Sequence, residues 1–157
     1  MSKSVRELAL LAIVAALGAD GTPATGGVFR SRLEQVGPDD LPCYDVTPGD
    51  QKTDENGELA DRFSVHNELT VTVRGIVDAA VQEGGQASLD DSALDPFYVF
   101  AVQALTGDGA NLGGIVESVE ERGNVAVFQP AGRDVLGIEM TFVLQFATKR
   151  GDATTRG

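Results

Sequence analysis

One cysteine and one histidine, Cys43 and His66, are the side chains best suited to nucleophilic chemistry. A thiol–imidazole pair needs the base within hydrogen-bond reach of the sulfur and a third group to orient it. The two residues could sit on neighbouring strands, but nothing around them supplies that context. Cys43 follows Leu41-Pro42 and reads as a small core residue, and His66 falls on the polar side of a strand. The acidic pairs Asp39-Asp40, Asp54-Glu55, Asp90-Asp91 and Glu120-Glu121 are the material for a metal site. Adjacent residues on a helix or strand point apart, and none of the four fits a calcium loop. The pairs Gly26-Gly27, Gly84-Gly85 and Gly113-Gly114 lack the phosphate-binding fingerprints, and no G-x-S-x-G turn occurs. The residues therefore predict no enzyme, no cofactor and no metal, but a binding or assembly module.

The charge narrows the partners. Twenty-four acidic side chains against 12 basic ones give a net charge of -12 over 157 residues. Such a surface repels phosphates, so it argues against sequence-independent nucleic-acid binding and against an anionic membrane. With a hydrophobic content of 42%, the chain can bury a core as one domain, and a single cysteine excludes an intrachain disulfide. Residues 36–148 hold 20 acids and five bases, whereas residues 1–35 and 149–157 are net +1 and +2. Ends so weakly basic do not assign the charge to contacts between subunits. The segment 49–62 has five acidic and two basic side chains and almost nothing to bury. It predicts a mobile loop, and its charged residues Asp50, Lys52, Asp54, Glu55, Glu58, Asp61 and Arg62 are the candidates for ordering on a partner.

The elements that would carry these residues follow from periodicity. Ser4 and Glu7 form a capping box before the apolar run 8–17. The spacing predicts a helix over 4–18, stopped by Gly18 and buried over most of its circumference, in a cytoplasmic protein. The run also resembles a secretory signal, which would place cleavage near residue 19, but ten apolar residues are too few to span a bilayer. Short strands are predicted at 28–32 and 41–48. From Phe63, the alternation of Val65, Leu69, Val71 and Val73 with polar residues predicts a long strand whose apolar face is broken only at Asn67. Leu94, Phe97, Ala101 and Leu105 predict a helical face within 88–106, kinked at Pro96 or starting there. A strand over 115–127, interrupted near Gly123, and a second over 136–146 follow. The order α-β-β-β-α-β-β predicts an α+β domain over 1–148, with two helices on a largely antiparallel sheet of about five strands. The tail 149–157 is predicted to be disordered.

In layout the chain resembles the tail terminators of long-tailed bacteriophages, the lambda-type minor tail protein family. The resemblance runs through the helix RELALLAIVAAL, the VFRSR strand, Leu41-Pro42-Cys43-Tyr44-Asp45-Val46, the polar loop 49–62, the strand HNELTVTV, the helix LDPFYVFAVQAL and the closing strand GIEMTFVLQFAT. It covers about residues 4–148. The alanine-rich first helix and the extended segment 107–134 depart from the family layout, which bears on the partner surfaces.

The resemblance implies a non-enzymatic virion protein, assembled in the host cytoplasm and resident in the tail or neck. Six copies would form a ring that docks on the major tail tube protein, stops tail growth and meets the head–tail connector. Genome DNA would pass through without specific binding, and no membrane is involved. Two other readings share these features in part: another phage neck or head–tail joining protein, and a secreted or periplasmic α+β binding protein lacking residues 1–19.

Overall fold

The computed structural model describes residues 2–31, 37–54, 63–78, 91–107, 109–131 and 133–157. Helix α1 spans Val5–Leu17. The Ser4 hydroxyl accepts from the Glu7 N–H at 3.1 Å, so the cap predicted from S-x-x-E forms. The Glu7 carboxylate turns away to Arg30, which donates to it through both terminal nitrogens at 2.7 and 2.8 Å. Val5, Ala9, Leu10, Ile13 and Leu17 are buried, while Leu8 and Leu11 remain about two-fifths exposed at 40% and 39%. The helix is therefore buried along one stripe, not over most of its circumference, because it is the outer layer of a two-layer domain. Each fully buried leucine or isoleucine of that stripe contributes about 1.5–3 kcal/mol. These residues belong to the folded core, which counts against a reading in which residues 1–19 are cleaved.

Strand β1 is only Val28–Arg30 and runs parallel to β2, Cys43–Asp54. The sheet is thus largely antiparallel, as the sequence predicts for this α+β domain, and mixed only through this β1–β2 pairing. The connection between the two strands doubles back through a 3-10 turn at Pro38–Asp40, which returns the chain to start β2 beside β1 in the same direction. Gly26 makes this return possible. Its N–H donates to the Pro42 carbonyl at 2.7 Å, and a Cβ there would lie 2.2 Å from the Asp40 carbonyl oxygen. The Leu41–Pro42 peptide is cis.

Strand β3, Ser64–Asp78, pairs antiparallel with β2 from Cys43↔Ile76 to Asp54↔His66, with a bulge between Pro48 and Gln51. Its burial alternates as the sequence predicts, but Phe63 lies just before it and is 69% exposed. Helix α2, Asp95–Thr106, follows a 3-10 turn at Asp91–Leu94 and carries Pro96 in its first turn. Leu94, Phe97, Ala101 and Leu105 are all buried. Strand β4, Ser118–Ala131, is bulged between Glu121 and Gly123 and pairs with β5, Arg133–Lys149. The latter lies antiparallel to β3 along its whole length. The last strand corrects an expectation. Asp152–Arg156 form β6 on the edge of β5, so residues 152–156 extend the sheet where a disordered tail was predicted. Asp152 holds the turn, accepting from the N–H and hydroxyl of Thr154 and from the hydroxyl of Thr155.

The strand order is β1-β2-β3-β5-β4, with β6 also on β5. The core lies between the helices and one sheet face. There the Tyr44 ring meets Phe97 edge-on at 5.2 Å, and its hydroxyl donates to the Phe97 carbonyl at 2.7 Å.

Candidate functional site

The strand register decides the thiol–imidazole pair. Cys43 stands opposite Ile76 and His66 opposite Asp54, at the two ends of the same ladder. At about 3.3 Å per residue, ten residues of β3 hold the groups about 33 Å apart. Cys43 is fully buried. His66 instead faces Glu117, whose carboxylate lies 3.9 Å from Nδ1. Among the described residues, no three histidine, cysteine, aspartate or glutamate side chains come together as a metal site.

The predicted loop 49–62 divides in two. Residues 49–54 continue β2, paired with β3, so Asp50, Lys52 and Asp54 stand on a strand and not on a mobile loop. The ladder with β3 satisfies backbone groups there even though most of the side chains are exposed, which composition alone does not register. Lys52 lies opposite Glu68 and Asp54 opposite His66, on the sheet face away from the helices. Glu55, Glu58, Asp61 and Arg62 lie outside the described residues.

The break at Asn67 is the most informative polar position. The residue is 6% exposed and faces the core side, and β3 has no bulge there. Its Oδ1 accepts from Gln51 Nε2 at 3.1 Å and Thr53 Oγ1 at 3.0 Å. Its Nδ2 donates to the Val65 carbonyl at 3.2 Å and Thr148 Oγ1 at 3.1 Å. One amide therefore ties β2, β3 and β5 together, and a buried amide so satisfied avoids the cost of desolvation. This cluster floors a groove of about 470 Å³, bounded by the first turn of α1, the end of β2 and the start of β6. Arg6 and Lys149 both line it.

The sheet has two unlike open edges. On one side β1 covers β2 only as far as Val46, and among the described residues no strand pairs with the outer edge of β2 beyond it. On the other side β4 pairs, among the described residues, only with β5, and its residues 122–126 are all exposed. Each edge carries a bulge, and β4 carries an ion pair between Arg122 and Glu120 at 2.8 Å. Bulges and charges of this kind limit indiscriminate edge-to-edge pairing.

No protein-family model matches the chain, and no curated protein matches it in sequence.

Sequence reasoning missed the groove because its walls come from residues near 6, 51, 67 and 149, which only the fold brings together. It also missed the Arg74–Glu139 ion pair at 2.6 Å and the Tyr98 hydroxyl's hydrogen bond to Glu121 at 2.9 Å. The one signal present was Asn67 itself, a polar residue in an apolar register.

Proposed function

We propose that the protein is a phage tail terminator, a structural protein whose copies close into a hexameric ring on the end of the tail tube. In that place it stops tube growth and offers a surface to the head connector. One observation carries the reading: the two open sheet edges differ and lie at opposite ends of the strand order. A head-to-tail ring needs two unlike patches on each subunit, and closure leaves no patch unmet. The resemblance of the α+β layout to that of the family adds an argument by analogy of fold, which by itself does not assign a function. The protein acts by contact, with the tube protein, the connector and copies of itself as partners.

The net charge of -12 fits this role. An anionic lumen repels DNA phosphates, so the genome slides past without adhering. A ring structure with a neutral or basic lumen would remove that part of the reading.

Native mass measurement of the purified protein, alone and with tail tubes, tests the proposal together with electron microscopy of the capped tubes. The expected result is a hexamer, free or formed on the tube end, and tubes of fixed length. A monomer under both conditions overturns it. A ring located at the portal and not on the tube would assign the chain to another neck position.

A further inference from the structure

Backbone hydrogen bonds fix which groups of each open edge point outward. On β2 the Tyr44 N–H donates to the Gly27 carbonyl at 3.1 Å, and the Val46 carbonyl accepts from the Ser31 N–H at 2.9 Å. Both point away from β3, so Cys43 and Asp45 bond inward to Ile76 and Arg74. The same alternation along β3 turns Lys52 and Asp54 inward, towards Glu68 and His66, and leaves Gln51 and Thr53 outward. On β4 the Val119 N–H donates outward to the Ala110 carbonyl at 2.8 Å, which makes Glu120 inward and Glu121 outward. Past the bulge Gly123 is inward and Asn124 outward. Among the described residues, no backbone group bonds the outer edge of β2 beyond Val46, or that of β4 beyond Val119.

These two open stretches match in one register. Three antiparallel pairings lead from β2 through β3 and β5 to β4, so β2 and β4 run in opposite senses. A second copy that continues the alternation therefore brings its β2 antiparallel to β4. With Lys52 opposite Glu120, Gln51 faces Glu121 and the Pro48 carbonyl faces the Asn124 N–H, outward group against outward group. Asp50 then stands opposite Arg122. Glu120 and Arg122 keep the ion pair they already share, because the four charges alternate around a square. Asp50 and Lys52 form no ion pair with another described residue.

Other registers fit worse. A shift of two residues sets Asp50 opposite Glu120 in one direction, and Lys52 opposite Arg122 in the other; like charges directly opposite are destabilising. A shift of one residue sets outward groups against inward ones. Each strand also carries one extra residue, between Pro48 and Gln51 and between Glu121 and Gly123, so the two bulges coincide. The pairing thereby reaches Thr47 and Val125, a valine left 55% exposed in the single chain. Neither edge paired with itself about a two-fold axis aligns charges and bulges together.

We propose that residues 47–52 of β2 pair antiparallel with residues 120–125 of β4 in a second copy of this chain. Because the edges differ and lie on opposite sides of the sheet, the contact repeats head to tail. This rests on the ring-forming reading above and specifies its subunit contact.

Amide hydrogen exchange of the wild type, with light scattering and native mass measurement of charge variants, tests it. In the assembled protein the N–H groups of Gln51, Glu121 and Asn124 should exchange as slowly as those of Lys52 and Glu120, which bond inside the sheet. In the monomer the first three should exchange tenfold or more faster. Lys52→Glu and Glu120→Lys each set like charges across the contact and should self-associate roughly tenfold or more weakly than the wild type. Their equimolar mixture, in which each variant meets the other, should regain rings of alternating composition. Should a variant fail to fold, exchange in the wild type decides alone. Wild-type rings with fast Gln51 and Glu121 amides overturn the pairing and leave the ring reading standing. Folded variants that assemble as well as the wild type, or a mixture that does not recover, do the same. A wild type that is monomeric with and without tubes, or only dimeric, overturns both.

Discussion

Asn67 and Thr148 meet across the β3–β5 ladder, the amide nitrogen of one donating to the hydroxyl oxygen of the other at 3.1 Å. This bond closes the network that begins at Gln51 and Thr53 on β2. Replacing Asn67 with alanine leaves the Val65 carbonyl without its side-chain donor and opens the groove floor. A loss of about 1–3 kcal/mol is expected, measured by urea unfolding. A variant as stable as the wild type would show that water replaces the amide without cost.

Gly75 and Gly137 make a contrasting pair. A Cβ on Gly75 would fall 2.9 Å from Phe97 Cβ and Cδ1, whereas one on Gly137 would meet nothing nearer than 3.5 Å. Gly75→Ala should therefore push α2 off the sheet and cost about 1–3 kcal/mol. Gly137→Ala should leave the melting temperature unchanged or raise it. Equal effects in thermal unfolding would contradict the close approach of Phe97.

The hydrogen bonds from Arg30 hold the Glu7 carboxyl below its ordinary value of 4.5. A carboxyl whose pKa is lower in the folded than in the unfolded state stabilises the fold above the unfolded value. That contribution is lost as pH falls through the folded value. Wild type should thus melt higher than Glu7→Gln at neutral pH, with the difference shrinking as pH is lowered from 4.5. Melting curves of both proteins against pH check this, and a gap that persists in strong acid would sink the idea.

Both tyrosines titrate late, for different reasons. Burial raises the Tyr44 phenol above its ordinary 10.0, while Tyr98 is raised first by its hydrogen bond to Glu121 and then by burial. The folded protein keeps these protons at a pH where the unfolded chain releases them, so stability falls as pH rises past 10. Because the chain has only two tyrosines, phenolate absorbance reports both. Less phenolate should form near pH 10 in the folded protein than in urea, where about half is expected there. Glu121→Gln should advance the Tyr98 component alone.

What was legible in the sequence was whatever period carries. The alternation of Val65, Leu69, Val71 and Val73 and the spacing of Phe97, Ala101 and Leu105 each mark a buried face, and those residues are buried. The Ser4 cap and the bulge near Gly123 also left local signatures. The parallel β1 did not, because direction in a sheet is set by the path of the connection and not by the three residues of the strand. Nor did β6, whose polar residues join the sheet through backbone bonds and the Asp152 turn. The same blindness hid the strand character of Asp50, Lys52 and Asp54. Side-chain composition reports burial, and these segments are held by the backbone.

The pairing of β3 with β5 bears on how the chain comes together. Its partners are separated by 57 to 85 positions, from Asp78↔Val135 to Ser64↔Lys149. Contacts that distant close slowly, since chain entropy must be lost before they form. The apolar run of α1 is synthesised first, but much of the sheet on which it rests is completed only with β5. Until then, Leu10, Ile13 and Leu17 are without their final cover. Folding during synthesis therefore leaves a sticky helix waiting on the nascent chain, and aggregation competes with the domain's completion over that interval.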